Sequence, residues 1–297
     1  MRKIKVATRG SRLSLIQTDI AISYMKQMIP EAEFEKVVIK TVGDIVTDKP
    51  IHEIGVVGAF EKDVDKAVLN GLADVAIHSL KDIPSEIPYG MDIVFVTPRD
   101  SPNDALIHRS GEVVSPYDLP SGTVIGTSSL RRRLQILSIN NGLIVKNLRG
   151  NIDTRVAKLM NNEYDAIIVA ECAVKRLNLD IKYYRLPIIP FTPAPGQGII
   201  AVVAPSDSWI ARVLKDKSDR YAWAMMKCER IFLETLRAGC RTALGFVCIS
   251  HQSNTLTAVA NVFVDEGKGI WIQSRADIDK AERLGERMAE EVKSLLS

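Results

Sequence analysis

No apolar run in this 297-residue chain approaches the roughly 20 residues that a membrane-spanning helix needs. The amino end, Met1-Arg2-Lys3-Ile4-Lys5-Val6, goes straight into alternating residues without an apolar leader, so a cytoplasmic location is expected. Cysteine is scarce. Cys172, Cys228, Cys240 and Cys248 show no CxxC spacing, which argues against a metal or redox site. In a reducing compartment it also argues against a disulfide. Aromatic residues make up only 6% of the chain, too few to interleave a basic face for stacking on bases. The excess of positive charge is small, 39 Lys and Arg against 36 Asp and Glu, so a nucleic-acid partner is not expected. There is no low-complexity segment and no short repeat. The length calls for two or three domains, and nothing in the pattern demands more than a monomer.

What the chain does have is a concentration of arginine. The window from Arg131 to Arg185 holds 11 Lys and Arg but 5 Asp and Glu, a surplus of 6 where the whole chain has +3. Three runs carry it: Gly126-Thr127-Ser128-Ser129-Leu130-Arg131-Arg132-Arg133, Leu148-Arg149-Gly150-Asn151-Ile152-Asp153-Thr154-Arg155, and Lys175-Arg176. Each follows a short apolar run that reads as a strand. A single arginine on a helix is as well read as a solvated face. Arginines from three strand ends, with Ser128, Ser129 and Thr154 as candidate helix caps, read instead as a site for a ligand with several anionic groups.

The periodicity predicts strands at 3–8, 37–41, 74–77 and 91–97, with helices over 11–28 and 60–70. Residues 99–103 resemble a hinge into a second unit. Its strands are expected at 105–108, 123–126, 143–147 and 166–170, with helices near 130–139 and 154–161 between them. Strand and helix in alternation imply an α/β fold with mixed, mostly parallel sheets, which bind ligands at the carboxyl ends of their strands. Residues 190–198 read as a second crossing, and the strand expected at 199–203 could return to the first sheet. From 218 the pattern changes to a long helix, three strands near 244–250, 255–264 and 269–275, and a helix at 278–296. That is a small α+β domain. The expected division is 1–98 with 194–214, then 99–193, then 215–297.

Two residues stand out as possible chemistry. Asp82, in His78-Ser79-Leu80-Lys81-Asp82, could cap a turn before Pro84. Beside arginines it could instead stabilise a developing cation and pass a proton. His78 reads as structural, and Lys81 as either an anion contact or an exposed side chain. Cys240, between Gly239 and Arg241, could be a buried small residue or a thiolate positioned for covalent attachment.

Taken together these segments resemble the hydroxymethylbilane synthase (porphobilinogen deaminase) family. The matching residues are Ala7-Thr8-Arg9-Gly10-Ser11 with Gln17, His78-Ser79-Leu80-Lys81-Asp82-Ile83-Pro84, and Gly126-Thr127-Ser128-Ser129-Leu130-Arg131-Arg132. Leu148-Arg149-Gly150-Asn151 with Thr154-Arg155, Lys175-Arg176-Leu177, Gly196-Gln197-Gly198 and Gly239-Cys240 continue the match. The resemblance implies two lobes like those of periplasmic binding proteins, plus a C-terminal α+β domain with a three-stranded antiparallel sheet. It implies a dipyrromethane cofactor held by a thioether on Cys240 and no metal. It implies porphobilinogen as substrate: four molecules are condensed with release of ammonia, and water then frees the linear tetrapyrrole hydroxymethylbilane.

On the same resemblance Asp82 is the catalytic carboxylate. Lys81, Asp82, Ser128, Ser129, Arg131 and Arg132 are expected to hold the cofactor. Arg9, Ser11, Arg149, Arg155 and Arg176 are expected to hold substrate carboxylates, with Gln197 a weaker addition. The chain departs from the family in its glycine-rich loop. Val57, in Gly55-Val56-Val57-Gly58, stands where other members have a lysine, while Phe60 matches the family's aromatic residue. The rival readings are a non-catalytic anion-binding protein on the same two lobes, and a nucleic-acid-binding protein.

Overall fold

The structure is a computed structural model. It describes residues 2–40, 59–236, 243–251, 253–265 and 268–296, of which 59–62, 264, 265 and 268 only as backbone. The chain opens with β1 (Arg2–Arg9), whose Ile4 and Val6 are buried while Lys3 and Lys5 face out. That alternation is what a half-buried strand requires. Helix α1 (Arg12–Met28) follows; Ser11 caps it by accepting a hydrogen bond from the Ser14 N–H. Ala21, Ile22 and Met25 lie on its buried face. Next come β2 (Ala32–Ile39), α2 (Ala59–Leu69), β3 (Val75–Ser79), a 3-10 turn at Leu80–Asp82, and β4 (Met91–Val96).

After the first crossing the chain forms β5 (Asp104–His108), β6 (Val124–Gly126), α3 (Leu130–Ile139), β7 (Ile144–Lys146) and α4 (Ile152–Met160). Then come β8 (Ala166–Ala170), α5 (Glu171–Arg176) and the two-residue β9 (Tyr184–Arg185). After the second crossing it forms β10 (Ile200–Pro205), α6 (Trp209–Leu214) and α7 (Arg220–Leu236). It ends with β11 (Leu244–His251), β12 (Thr255–Asp265), β13 (Lys268–Asp277), a 3-10 turn at Ile278–Lys280 and α8 (Ala281–Leu296).

The chain divides into two compact units. One joins Met1–Asp100 with Ile199–Trp223, the other Ser101–Gly198 with Ala224–Ser297. The three-way division expected from sequence is finer: the second five-stranded sheet and the C-terminal sheet share one unit. The first unit holds a sheet in the order β2-β1-β3-β10-β4. Ile4, Val6, Val75, Ile77, Phe95, Ile200 and Val202 meet α1 in its core.

The second unit holds a sheet in the order β7-β6-β8-β5-β9, and the antiparallel sheet β11-β12-β13. Strands β5 and β8 are buried on both faces. Leu106, Ala166 and Ile168 lie in one core, and Ala105, Ile107, Ile167 and Val169 in another. This explains their unbroken apolar runs.

In each five-stranded sheet four strands run one way and one opposes them. The opposing strands are β10, antiparallel to β3 and β4, and β5, antiparallel to β8 and β9. Each is the first strand formed after a crossing. Ile200 starts β10 opposite Ser79 at the carboxyl end of β3, and Asp104 starts β5 opposite Ala170 at the carboxyl end of β8. Both crossings therefore deliver the chain to the strand ends where parallel sheets bind ligands.

Candidate active site

Strands β7, β6 and β8 are neighbours, and a cationic loop leaves the carboxyl end of each. After β6, Ser129 caps α3 by accepting from the Arg132 N–H at 3.4 Å. Ser128 does not cap; its exposed hydroxyl donates to the Leu148 carbonyl at 2.8 Å and ties this loop to the next. After β7, the cap is Asn151, not Thr154: Asn151 Oδ1 accepts from the Thr154 N–H at 2.9 Å and from the Thr154 hydroxyl at 2.8 Å. Arg155 Nε donates to the Gly150 carbonyl at 2.8 Å and Arg149 is half-buried. After β8, α5 carries Arg176, whose Nη2 donates to the Gly198 carbonyl at 2.7 Å.

Arg131 and Arg132 are buried rather than displayed. Arg131 Nη1 lies 2.8 Å from Asp104 Oδ2, 3.0 Å from Gln135 Oε1 and 3.0 Å from the Thr192 carbonyl. Arg132 Nη2 donates to Asp104 Oδ1 at 2.7 Å, and its Nη1 to the Ile168 carbonyl at 3.1 Å. The Nε of Arg132 is buried with no hydrogen-bond partner. Burial by itself would raise the pKa of Asp104, but the two guanidinium groups outweigh it and hold the carboxyl well below the usual range. Burial draws Arg131 down from its ordinary value, against the pull of Asp104.

Asp104 carries little signal in the sequence. It is one acidic residue at the head of the apolar run Ala105-Leu106-Ile107. Gln197 is fully buried, and its amide donates to the Pro102 carbonyl at 2.7 Å and to Asp104 Oδ1 at 2.8 Å. It thus joins the two crossing segments instead of presenting its amide to solvent. Glu171, at the head of α5, gathers Ser101, Tyr183, Arg185 and Lys175. Its burial is outweighed by these donors, so its carboxyl lies below its ordinary value. Arg185, the last cation of the arginine window, is therefore spent on Glu171.

In the first unit, Arg9 ends β1 and Ser11 begins α1. Asp82 closes the 3-10 turn after β3 with its side chain exposed; Lys81 is half-buried. The strand beneath is braced from both sides. The Gln17 amide donates to the Ser79 hydroxyl at 2.8 Å, and buried His78 Nε2 lies 2.8 Å from buried Asp65 Oδ1. The Leu80 N–H donates to the Ile199 carbonyl at 3.0 Å. His78 is accordingly a supporting residue. Cys240, Val57 and the rest of the glycine-rich loop lie outside the described residues, and Phe60 is described only as backbone. Among the described residues no group of His, Cys, Asp and Glu could hold a metal ion, and no helix is long and apolar enough to cross a membrane.

Residues 4–211 match the family profile described as porphobilinogen deaminase, dipyromethane cofactor binding domain. A relative from Hyperthermus butylicus, named "Probable porphobilinogen deaminase", is 44% identical over 294 residues, covering 99% of this chain and 97% of the relative. The porphobilinogen deaminase of Maridesulfovibrio salexigens is 37% identical over 98% of this chain and 95% of its own. Among solved structures, the GlnP substrate binding domain 2 of Lactococcus lactis aligns with a TM-score of 0.41 and 15% identity, over 72% of this chain and 85% of that one. The chain is an enzyme of the porphobilinogen deaminase family.

Proposed function

We propose that the chain is a hydroxymethylbilane synthase, acting as a cytoplasmic monomer. It condenses four porphobilinogen molecules head to tail, releases one ammonia from each, and frees the linear tetrapyrrole hydroxymethylbilane by hydrolysis. The observation that carries the reading is the row of cationic loops leaving three neighbouring strands of one sheet. A chain of pyrroles bears an acetate and a propionate on every ring, so it needs a row of cations and not a single one. Hydrogen bonds to charged groups contribute about 1.5–3 kcal/mol each, so a few such contacts suffice to retain it.

Cys240 would hold the dipyrromethane cofactor, which would supply the nucleophilic pyrrole at which the product is extended. The donor set suits such a polyacid. Ser128 and Lys81 reach the surface, and the buried Nε of Arg132 still wants an acceptor. Ser129, Arg131 and Asp82 complete the cofactor contacts. Arg9, Ser11, Arg149, Arg155 and Arg176 bind the carboxylates of incoming porphobilinogen. Asp82 is the catalytic carboxylate. Its exposed carboxylate accepts hydrogen bonds from pyrrole N–H groups and from the substrate's aminomethyl group, which leaves as ammonia from its protonated form as the C–N bond breaks, and it stabilises the azafulvenium cation that remains.

The test is the mass of the denatured chain together with ammonia release. An added mass equal to one dipyrromethane, absent from Cys240→Ser, with porphobilinogen consumed and ammonia released, is expected. A bare-chain mass in active protein overturns the attachment, and a loaded chain that consumes no porphobilinogen overturns the activity.

A further inference from the structure

Gln135 has no accessible surface and lies one helical turn beyond Arg131 on α3. Its three polar neighbours dictate one orientation of its amide. Arg131 can only donate, so it takes Oε1, at 3.0 Å. The Thr192 carbonyl can only accept, so it takes Nε2, at 2.8 Å. The second hydrogen of Nε2 points at Asn261 Oδ1, 3.0 Å away on β12. Asn261 is itself fully buried, and its remaining Nδ2 donates to the Ile270 carbonyl on β13 at 3.4 Å. A buried polar chain thus runs from Asp104 through Arg131, Gln135 and Asn261 to the outer strand of the C-terminal sheet.

Apolar contact runs beside it. Leu134, the neighbour of Gln135 on α3, packs with Ala243 and Phe263. Backbone contact adds a third tie, because the Phe246 N–H on β11 donates to the Pro193 carbonyl at 2.9 Å. Space for the chain is reserved on the sheet: a Cβ on Gly269 would come within 3.0 Å of Asn261 Nδ2. A buried network in which every member is satisfied rigidifies what it joins.

We propose that Gln135, with Asn261 as its partner, is a positioning residue that makes α3 and the C-terminal sheet one rigid piece. The cysteine at 240 precedes β11 by four positions in the chain, and Arg131 and Arg132 sit on α3. Through β12, which pairs with β11 at Gly245 and Asn261, the amide pair holds the strand that follows the attachment cysteine against the arginines that meet the attached group's carboxylates. This role rests on the reading of Cys240 and the arginines given under the proposed function. The coupling of α3 to the sheet does not.

Two variants of the full chain separate these ideas. Gln135→Glu keeps the acceptor for Arg131 but turns an oxygen toward Thr192 and Asn261. Asn261→Ala leaves the Arg131–Gln135 contact in place and decides the matter alone if the first variant does not fold. Hydrogen exchange is measured strand by strand, with kcat and KM for porphobilinogen. Loss of the buried bond is expected to speed exchange about tenfold across β11, β12 and β13 while β5, β6 and β8 keep their protection. A fall in kcat of about tenfold with KM within about twofold is expected alongside.

Wild-type exchange in the C-terminal sheet overturns the coupling, as does faster exchange spread evenly over both sheets. Faster exchange in the C-terminal sheet with unchanged kcat, or with a raised KM alone, overturns the positioning role. If the unaltered protein consumes no porphobilinogen, the proposed function has failed and the exchange pattern still decides the coupling.

Discussion

Asp104 and Arg131 meet at 2.8 Å, with 1% and 7% of their side-chain surfaces accessible. The same carboxylate takes Arg132 on its other oxygen. Two cations from one helix thereby share one buried anion, and the strand that enters the second sheet is fixed to α3.

Removing that charge strands both guanidinium groups in the interior. Asp104→Asn is expected to cost about 3–5 kcal/mol in urea unfolding at neutral pH. The pH dependence has a definite sign. The folded carboxyl titrates below its ordinary value of 3.8, so its charge favours folding above that value. That stabilisation is lost as pH falls from about 4 toward the depressed folded value. The variant should lose less stability than the parent over that range, and equal losses in the two proteins would contradict the pairing.

Asp82 lies on the surface of a short turn, so Asp82→Ala should change stability by no more than about 0.5 kcal/mol. Turnover of porphobilinogen should vanish. Paired thermal unfolding and ammonia-release measurements check both halves; ordinary turnover in this variant removes Asp82 from the chemistry.

His78 is the opposite case. His78→Leu leaves the buried Asp65 carboxylate without its imidazole, at an expected cost of about 1–3 kcal/mol. Activity per folded chain should fall by less than about tenfold, because the buried ring pairs with Asp65 and supports β3 from within. Complete loss of activity in a fully folded variant would mean that His78 has a chemical role.

Gly245 faces the second crossing segment closely. A Cβ there would lie 2.4 Å from the Thr192 carbonyl oxygen. Backbone cannot swing aside as a side chain can, so Gly245→Ala should destabilise by about 1–3 kcal/mol and lower the melting temperature. An unchanged melting temperature would show that the segment yields.

Much of the fold was legible because burial leaves a period behind. The strand at 166–170 was expected where it is found, since five apolar residues bounded by polar ones have few alternatives. β2 was expected at 37–41 but spans Ala32–Ile39, because Glu33, Glu35 and Lys36 face solvent and hide the pattern. β9 has two residues, too few to show any period. α6 shows no period of its own between the strand expected at 199–203 and the long helical pattern from 218.

The site divides in the same way. Arginines crowd the sequence visibly, but their burial does not, and Arg131 and Arg132 read like surface groups until Asp104 is placed between them. Asp104, Gln135 and Asn261 act through contacts as long as 126 positions along the chain, which no local pattern records.

The reversed strand β10 also sets an order of assembly. It lies between β3 and β4, which do not pair with each other. The second sheet is complete once the chain has reached Arg185, but the first cannot close until Pro205 has emerged. During synthesis the amino-terminal lobe therefore waits, with two strand edges open, while the later lobe folds ahead of it. A chain stopped before residue 199 would keep those edges exposed, and would be prone to pairing with its own copies.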